Sequence, residues 1–138
     1  MTAIFADTFY WTALTSSVDR FHTLAVDFSF SMQPEKLVTT DEVLVEYLAF
    51  FSSARPGVRV KAGKVVANLL KSSTVLVLPQ CRESFLSGLK HYCARPDKGY
   101  SLTDCISMQT MRKQGLTDVL TNDKHFEQEG FHPLFRDC

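Results

Sequence analysis

The sequence predicts a three-layer α/β/α sandwich built on a central parallel sheet of four to five strands. Short apolar runs typical of strands alternate almost throughout with longer segments of helical periodicity. The run Val75-Leu76-Val77-Leu78 is apolar without alternation, as expected for a strand buried on both faces. With 138 residues and no linker or internal repeat, the chain is expected to form one domain over residues 1–138.

The first half of the chain is expected to hold two strands and three helices. Residues 3–7 are an apolar first strand, and residues 8–31 have helical periodicity that is interrupted near residues 15–17. Ser17 and Asp19 are the candidate caps of the helix that follows this interruption. Residues 37–39 are a short second strand, and a helix then runs from residue 39 to residue 51.

The second half is expected to alternate between helices and strands to its end. A basic amphipathic helix at 58–71 precedes the third strand at 74–78, which Pro79 ends. Two further helices follow, the second of which ends with Gly115 in the position after its last turn. The remaining segments are helices at 81–93, 101–114 and 124–129, and strands at 119–121 and 132–135.

Net charge, cysteine spacing and missing motifs narrow the classes of function that this sequence can have. The 15 basic and 15 acidic residues give no net charge, so any nucleic-acid binding needs a local basic patch. The four cysteines lack zinc spacing and are expected to be buried free thiols plus one at the C-terminus, as in a cytoplasmic protein. Neither a membrane-spanning segment, a glycine-rich phosphate loop nor a G-x-S-x-G nucleophile motif is present.

Four acidic residues are the strongest functional signal: Asp7, Glu46, Asp104 and Asp123. Asp7 and Asp123 each follow a predicted strand, and Asp104 opens a predicted helix. Ligands of open α/β sheets bind at the carboxyl ends of the strands, where the flanking helices begin. Four carboxylates meeting there would repel one another unless a divalent cation neutralised them. The pattern therefore favours Mg²⁺- or Mn²⁺-assisted phosphodiester chemistry, in which the ion polarises the phosphate and activates a water.

Each acid also has a structural explanation. Asp7 and Asp123 are good helix N-caps, and Asp104 forms a capping box with Ser101. Glu46 lies too deep in its helix for capping, so it is either on a thin exposed stripe or in a polar pocket. The joint placement of sequence-distant acids at one edge of the sheet favours a metal site over these structural explanations.

Four motifs run in order over essentially the whole chain: Ile4-Phe5-Ala6-Asp7-Thr8, the run from Thr40 to Glu46, Ser101-Leu102-Thr103-Asp104, and the run from Leu120 to Phe126 followed by Glu129-Gly130-Phe131. In these motifs the chain resembles the PIN-domain ribonucleases, most closely the VapC-like toxins of toxin–antitoxin pairs. The resemblance implies that the four acids are both catalytic and metal-binding, with Asp7 and Asp104 as the principal ligands of Mg²⁺ or Mn²⁺. It also implies endoribonuclease activity, a homodimer and inhibition by a small antitoxin protein.

Further residues are candidates for supporting this site. His125 and His132 are interpreted as surface or packing residues. The basic residues after the third predicted helix either line an RNA groove or form an ordinary solvated helix face. The candidate supporting polar residues are Thr8, Glu42, Ser101, Thr121 and Asn122, with Glu42 able to share the role of Glu46. The candidate RNA-binding residues are Arg55, Arg59, Lys61, Lys64 and Lys124.

The sequence therefore predicts a cytoplasmic, metal-dependent endoribonuclease that acts as a toxin. One alternative is an RNA-processing PIN nuclease without an antitoxin. A second is a catalytically silent PIN-like module that binds RNA or protein, although a binding module has no need of four mutually repelling acids. A hydrolase of small phosphate esters is a third, which the lack of a phosphate-cradling glycine loop disfavours.

Overall fold

A five-stranded, wholly parallel sheet forms the centre of the protein. The computed structural model describes residues 3–31 and 36–136. The strands are β1 (Ala3–Ala6), β2 (Lys36–Thr40), β3 (Val75–Leu78), β4 (Asp118–Leu120) and β5 (His132–Pro133). They lie in the order β3-β2-β1-β4-β5, with every neighbouring pair parallel. The predicted α/β/α class is confirmed, and the sheet has the upper of the two predicted strand numbers.

Seven helices join and flank these strands within the described residues. They are α1 (Thr8–Thr15), α2 (His22–Ser31), α3 (Asp41–Phe50), α4 (Pro56–Lys71), α5 (Arg82–Ala94), α6 (Leu102–Gln114) and α7 (Lys124–Gln128). The predicted interruption before the second helix is present, and the Asp19 carboxylate accepts a hydrogen bond from the Phe21 amide there. Gly115 ends α6 at φ 70°, a left-handed conformation that favours glycine. None of the helices formed by residues 3–31 and 36–136 is long and apolar enough to cross a bilayer.

Two predictions about burial are wrong. The strand at Val75–Leu78 was expected to be covered on both faces, but β3 is an edge strand and Leu76 is 42% exposed. A purely apolar run shows that a strand is packed on something, but it does not show the position of that strand in the sheet. Cys81 and Cys93 are exposed, and only Cys105 is buried among the described cysteines. Cys138 lies outside the described residues.

A buried carboxylate ties the carboxyl-terminal helices together. The side chain of Glu129, which follows α7, is only 6% exposed. It accepts hydrogen bonds from the Tyr100 hydroxyl at 2.9 Å, from Arg95 Nε at 3.0 Å and from Arg112 at 2.9 Å. Burial raises the pKa of Glu129, but these three donors overcome that effect and hold it at about 2. We call this group the Glu129 cluster. It fixes the segment between α5 and α6, directly before the first turn of α6 that carries Asp104.

Candidate active site

The acidic pocket lies where the chain reverses its direction across the sheet. From β1 the chain adds β2 and β3 on one side, whereas β4 and β5 lie on the other. Asp7 directly follows β1 and Thr121 directly follows β4, and the register pairs Ala6 with Leu120. The two side chains are therefore neighbours, and the Thr121 hydroxyl donates a 2.9 Å hydrogen bond to Asp7. Crevices at such switch points are the usual ligand sites of open α/β sheets.

The side chain of Asp7 does not cap the helix that follows it. Asp7 occupies the N-cap position of α1, but its side chain makes no capping hydrogen bond. The residue is only 6% exposed, and its carboxylate accepts hydrogen bonds from the buried Thr121 hydroxyl and from the backbone of Thr8. The capping explanation of Asp7 therefore does not account for this carboxylate.

Glu46 reaches the same pocket from α3. The Thr8 hydroxyl, at the start of α1, donates a hydrogen bond to the Glu46 carboxylate. The exposed face of α3 carries instead the apolar side chains of Val45 and Phe50, which are 62% and 64% exposed. Of the two alternatives for Glu46, the structure supports the polar pocket.

Asp104 both caps a helix and lines the acidic pocket. Its carboxylate accepts a 3.1 Å hydrogen bond from the Ser101 amide, and the Ser101 hydroxyl accepts a 3.0 Å bond from the Asp104 amide. This is a complete capping box at the start of α6. The same carboxylate lines the acidic pocket. Capping and site formation are compatible here because the capping box fixes the side chain at the pocket wall.

Asp123 and His125 complete the acidic wall. Asp123 caps α7 by accepting a 2.9 Å hydrogen bond from the His125 amide. The His125 ring nitrogen Nδ1 lies 3.2 Å from the Asp123 carboxylate and 3.9 Å from that of Asp104. This nitrogen is buried and makes no hydrogen bond of good geometry. The interpretation of His125 as only a surface or packing residue is therefore incomplete. His132 is an exposed residue beside Asp118, as predicted.

The four acids share one open cavity of about 450 Å³. Four of the five candidate supporting residues, Thr8, Ser101, Thr121 and Asn122, are part of its wall. Phe9 also lines it. Its complete lining is Asp7, Thr8, Phe9, Glu46, Ser101, Asp104, Thr121, Asn122 and Asp123.

Glu42 is the supporting candidate that lies elsewhere. It borders a different cavity, together with Gln80 and residues at the start of α5. The neighbouring Asp41 accepts a 2.9 Å hydrogen bond from the Gln80 amide, so the first turn of α3 faces the end of β3. Glu46 is one turn further along α3, where the helix reaches Thr8. The structure brings Glu46 to the acids and leaves Glu42, one turn earlier on the same face of α3, beside the end of β3.

The five candidate RNA-binding residues also lie outside the pocket wall. Arg59 donates to the Ser52 carbonyl, and Lys61 donates a 2.9 Å hydrogen bond to the Thr15 carbonyl. Lys124 is exposed beside Asp123 at the start of α7. The remaining two are exposed at the beginning and on the outer face of α4; they are Arg55 and Lys64.

The carboxylates perturb one another. Burial, followed by the charge of Asp104, raises the pKa of Asp7 to about 7, despite the hydrogen bond from Thr121. Burial also raises the pKa of Asp104, with further contributions from the charges of Asp123 and Glu46. Both shifts have the same physical cause, which is negative charge gathered in a place that water solvates poorly. Such perturbed acids in a cleft are typical of functional sites.

The residues present fit a divalent cation. Carboxylate oxygens are the preferred ligands of Mg²⁺ and Mn²⁺, and an imidazole nitrogen is an additional ligand that Mn²⁺ accepts. One ligand atom from each of Asp104, Asp123 and His125 lies within 4.8 Å of the other two. A cation at this place would offset the charge of Asp104, which adds to the effect of burial in raising the pKa of Asp7, and would engage the unpartnered nitrogen of His125.

Comparison with known proteins agrees with this geometry. Residues 4–131 match the PIN domain, which is most of the sequence. The chain belongs to the PIN domain family. It is 29% identical over 129 residues to the 23S rRNA-specific endonuclease VapC20 of Mycobacterium tuberculosis, in both strain CDC 1551 / Oshkosh and strain ATCC 25618 / H37Rv. These matches cover 93% of this chain and 95% of the relative.

A solved structure is similar over the same extent. The crystal structure of Mycobacterium tuberculosis VapC20, described as a Sarcin-Ricin loop cleaving toxin, superposes with a TM-score of 0.80 at 28% identity. The match covers 93% of this chain and 95% of that one. The resemblance to VapC-like PIN proteins that the sequence motifs suggested is confirmed.

Proposed function

We propose that this protein is a Mg²⁺- or Mn²⁺-dependent endoribonuclease, and that it is the toxin of a toxin–antitoxin pair. The observation that carries the proposal is the convergence of Asp7, Glu46, Asp104 and Asp123 on one open pocket. An endoribonuclease function is also the one supported by membership of the PIN domain family and by the named relatives. The catalytic unit is proposed to be the whole chain, residues 1–138.

The side chains of this pocket have distinct tasks in the proposed reaction. Asp7 and Asp104 are the principal metal ligands, and Glu46 and Asp123 complete the ligand set. The Thr121 hydroxyl holds Asp7, the Thr8 hydroxyl holds Glu46, and the Ser101 amide holds Asp104. These hydrogen bonds keep the carboxylates from turning away from one another. When bound, the cation supplies Lewis-acid stabilisation of the charge that develops on the phosphate and on the leaving oxygen.

The pocket shape suits an extended substrate. Its opening is wide, so a phosphodiester within a longer strand can enter without the rest of the strand being enclosed. Since the protein has no net charge, local cations must offset the repulsion between the acids and the phosphates. The exposed basic residues Arg55, Arg59, Lys61, Lys64 and Lys124 are proposed to contact RNA outside the pocket.

The assembly is also part of the proposal. In the cell the protein is proposed to be a cytoplasmic homodimer that a small antitoxin inhibits. Co-expression with the product of a small reading frame next to its gene is the test. Co-purification of the two proteins, together with loss of RNA cleavage, supports the pair. An active nuclease that such a product neither binds nor inhibits indicates an RNA-processing enzyme instead.

Cleavage of defined RNAs tests the nuclease function itself. Because the named relatives act on 23S rRNA, intact ribosomes and a mixed messenger RNA pool are the two substrates of choice. Each is incubated with Mg²⁺, with Mn²⁺ and with EDTA, beside the Asp104→Asn variant. Metal-dependent cleavage that the variant lacks supports the function, and the substrate that is cut identifies the target class. Folded wild-type protein that cuts neither RNA under any condition would indicate a silent binding module.

A further inference from the structure

Phe9 is an aromatic wall of the acidic pocket. Its ring is half-buried, and it stands two residues after Asp7 on the first turn of α1. The remaining residues of the pocket wall are acidic or polar. A phenyl ring adds nothing to metal binding, so the chemistry assigned to the carboxylates leaves its presence at this place unexplained.

Two other rings hold Phe9 in a fixed orientation. The Phe21 ring packs edge-on against it, with centroids 5.0 Å apart and planes at 61°. The Phe135 ring lies 5.6 Å away at 47°. Contacts of this kind restrict the rotation of a side chain. A ring that is already immobile loses little entropy when a planar ligand stacks on it.

Each of the two supporting rings has an arginine next to it in sequence: Arg20 precedes Phe21, and Arg136 follows Phe135. The Arg20 guanidinium lies 5.1 Å from the centroid of Phe21. Arg136 follows Phe135 and donates a 3.4 Å hydrogen bond to the carbonyl of Asn122, a residue of the pocket wall. Both arginine side chains are exposed. Positive charge is therefore available beside the aromatic wall on both supporting segments.

Several other basic side chains are already engaged. Arg95 and Arg112 are bound by the Glu129 cluster, and Lys113 pairs with Glu83. Arg20 and Arg136 have no carboxylate partner among the ion pairs of the described residues. Their charges remain available to phosphates.

We propose that Phe9 is the stacking platform for a base of single-stranded RNA next to the scissile phosphate, and that Arg20 and Arg136 bind flanking phosphates. This inference rests on the proposed ribonuclease function and adds a base-binding subsite to it. Aromatic side chains bind single strands by stacking on bases, which tolerates any base because each has a π face. Stacking on Phe9 thus attracts an RNA base at the place where the acids repel the RNA phosphates.

Fluorescence of Phe9→Trp tests the stacking directly. The probe is an unlabelled RNA of mixed sequence, about 12 nucleotides long, and all proteins carry Asp104→Asn so that the RNA stays intact. The native Trp11 is buried and hydrogen-bonded to Thr39, and it provides a constant background. We expect addition of RNA to quench the new indole while leaving the emission of the Phe9 protein unchanged. Emission that RNA leaves unchanged in the Phe9→Trp protein would overturn the proposal.

Affinity gives the second readout. Phe9→Leu keeps an apolar side chain in the packing and removes the ring, so we expect about 10-fold weaker RNA binding. Phe9→Trp should bind within about 2-fold of the parent because the platform is kept. The matched control is Phe50→Leu, which removes an exposed ring on α3 that does not line the pocket. If both leucine variants lose the same affinity, the loss at Phe9 does not come from stacking in the pocket and the proposal is wrong.

The arginines are tested through salt dependence. Each of Arg20→Gln and Arg136→Gln should reduce the slope of log affinity against log salt by about 0.7, the value for one phosphate contact on a single strand. Lys71→Gln, at the far end of α4, is the control and should leave the slope unchanged. Unchanged slopes in both arginine variants would overturn the phosphate assignment.

RNA cleavage by proteins that keep Asp104 distinguishes failure of the stacking subsite from failure of the ribonuclease function. If the wild type cleaves RNA with metal and Phe9→Leu cleaves equally well at limiting RNA, only the stacking subsite fails. If the wild type neither cleaves nor binds RNA, the ribonuclease function fails and the subsite fails with it.

Discussion

Replacing Asp7 with asparagine should stabilise the metal-free protein at neutral pH, although it removes a proposed metal ligand. Asp7 is 6% exposed and lies among other carboxylates, so its charged form is poorly solvated and repelled. Asparagine has nearly the same shape, carries no charge and keeps an oxygen that can accept the hydrogen bond from Thr121. The variant therefore removes the electrostatic cost of the site and leaves its packing intact.

The size of this effect follows from the pKa of Asp7. Burial raises that pKa from 3.8 to about 7 in the folded protein. Between these values the folded state binds more protons than the unfolded state, so the free energy of unfolding falls as the pH rises. A difference of about 3 pH units at about 1.36 kcal/mol per unit corresponds to about 4 kcal/mol above pH 7. About 3 kcal/mol of this develops between pH 5 and pH 8.

Urea unfolding in EDTA at pH 5 and at pH 8 measures this difference. The stability advantage of Asp7→Asn over the wild type should be about 3 kcal/mol larger at pH 8 than at pH 5. Asp97→Asn removes an exposed carboxylate and serves as the control, with little change at either pH. If Asp7→Asn is less stable than the wild type at both pH values, the carboxylate does not sit in the repulsive environment described.

Three further predictions concern packing and hydrogen bonding. Glu129→Gln should destabilise the protein by about 2 kcal/mol in urea unfolding, because it removes the buried charge that accepts hydrogen bonds from Tyr100 and from two arginines that are each 40% exposed. Glu83→Gln, in an exposed ion pair, should cost less than about 1 kcal/mol. Equal losses in these two variants would contradict a stabilising role for the Glu129 cluster. Gly88→Ala should cost about 1–3 kcal/mol of stability because the added methyl group meets the side chain and backbone of Ile106 on α6. Gly63→Ala, in open space on α4, should instead stabilise the protein by about 0.5–1 kcal/mol. Thermal unfolding of both variants is the measurement, and a Gly88→Ala protein as stable as the wild type would refute the close packing of α5 on α6. Thr121→Val should slow RNA cleavage about 10-fold through loss of the hydroxyl that orients Asp7, and an unchanged rate constant in a single-turnover assay would show that this hydrogen bond is dispensable.

The order of the elements was predictable because it depends on local pattern. Apolar runs, the interruption before α2 and the glycine after α6 each have a local physical cause, and each is present in the structure. The exposure of β3 was not predictable in this way. Strand order is a property of the whole chain, and Val75–Leu78 gives no sign that it lies at an edge.

The acids of the site were predictable because parallel strands end at a common edge. Asp7 and Asp123 follow β1 and β4 closely, so their meeting follows from topology. The choice between Glu42 and Glu46 was not available, because both lie on one face of α3 and only the contact with Thr8 selects between them.

The residues that sequence analysis missed depend on tertiary contacts. His125 could have been suspected because it stands two residues after Asp123 on the first turn of α7. The neighbourhood of Phe9 carries no such signal. Phe21 and Phe135 are 12 and 126 residues away from it in sequence, and only the fold brings their rings together.

The rate of RNA cleavage as a function of Mn²⁺ concentration tests the central claim most directly. The claim is that the carboxylates of the acidic pocket hold a divalent cation that is required for cleavage. Wild-type protein should be inactive in EDTA and should reach a saturating rate as Mn²⁺ is added, whereas Asp7→Asn, folded and more stable, should remain near background throughout. Cleavage by the wild type in EDTA, or an Asp7→Asn protein that follows the same Mn²⁺ curve, would contradict the claim.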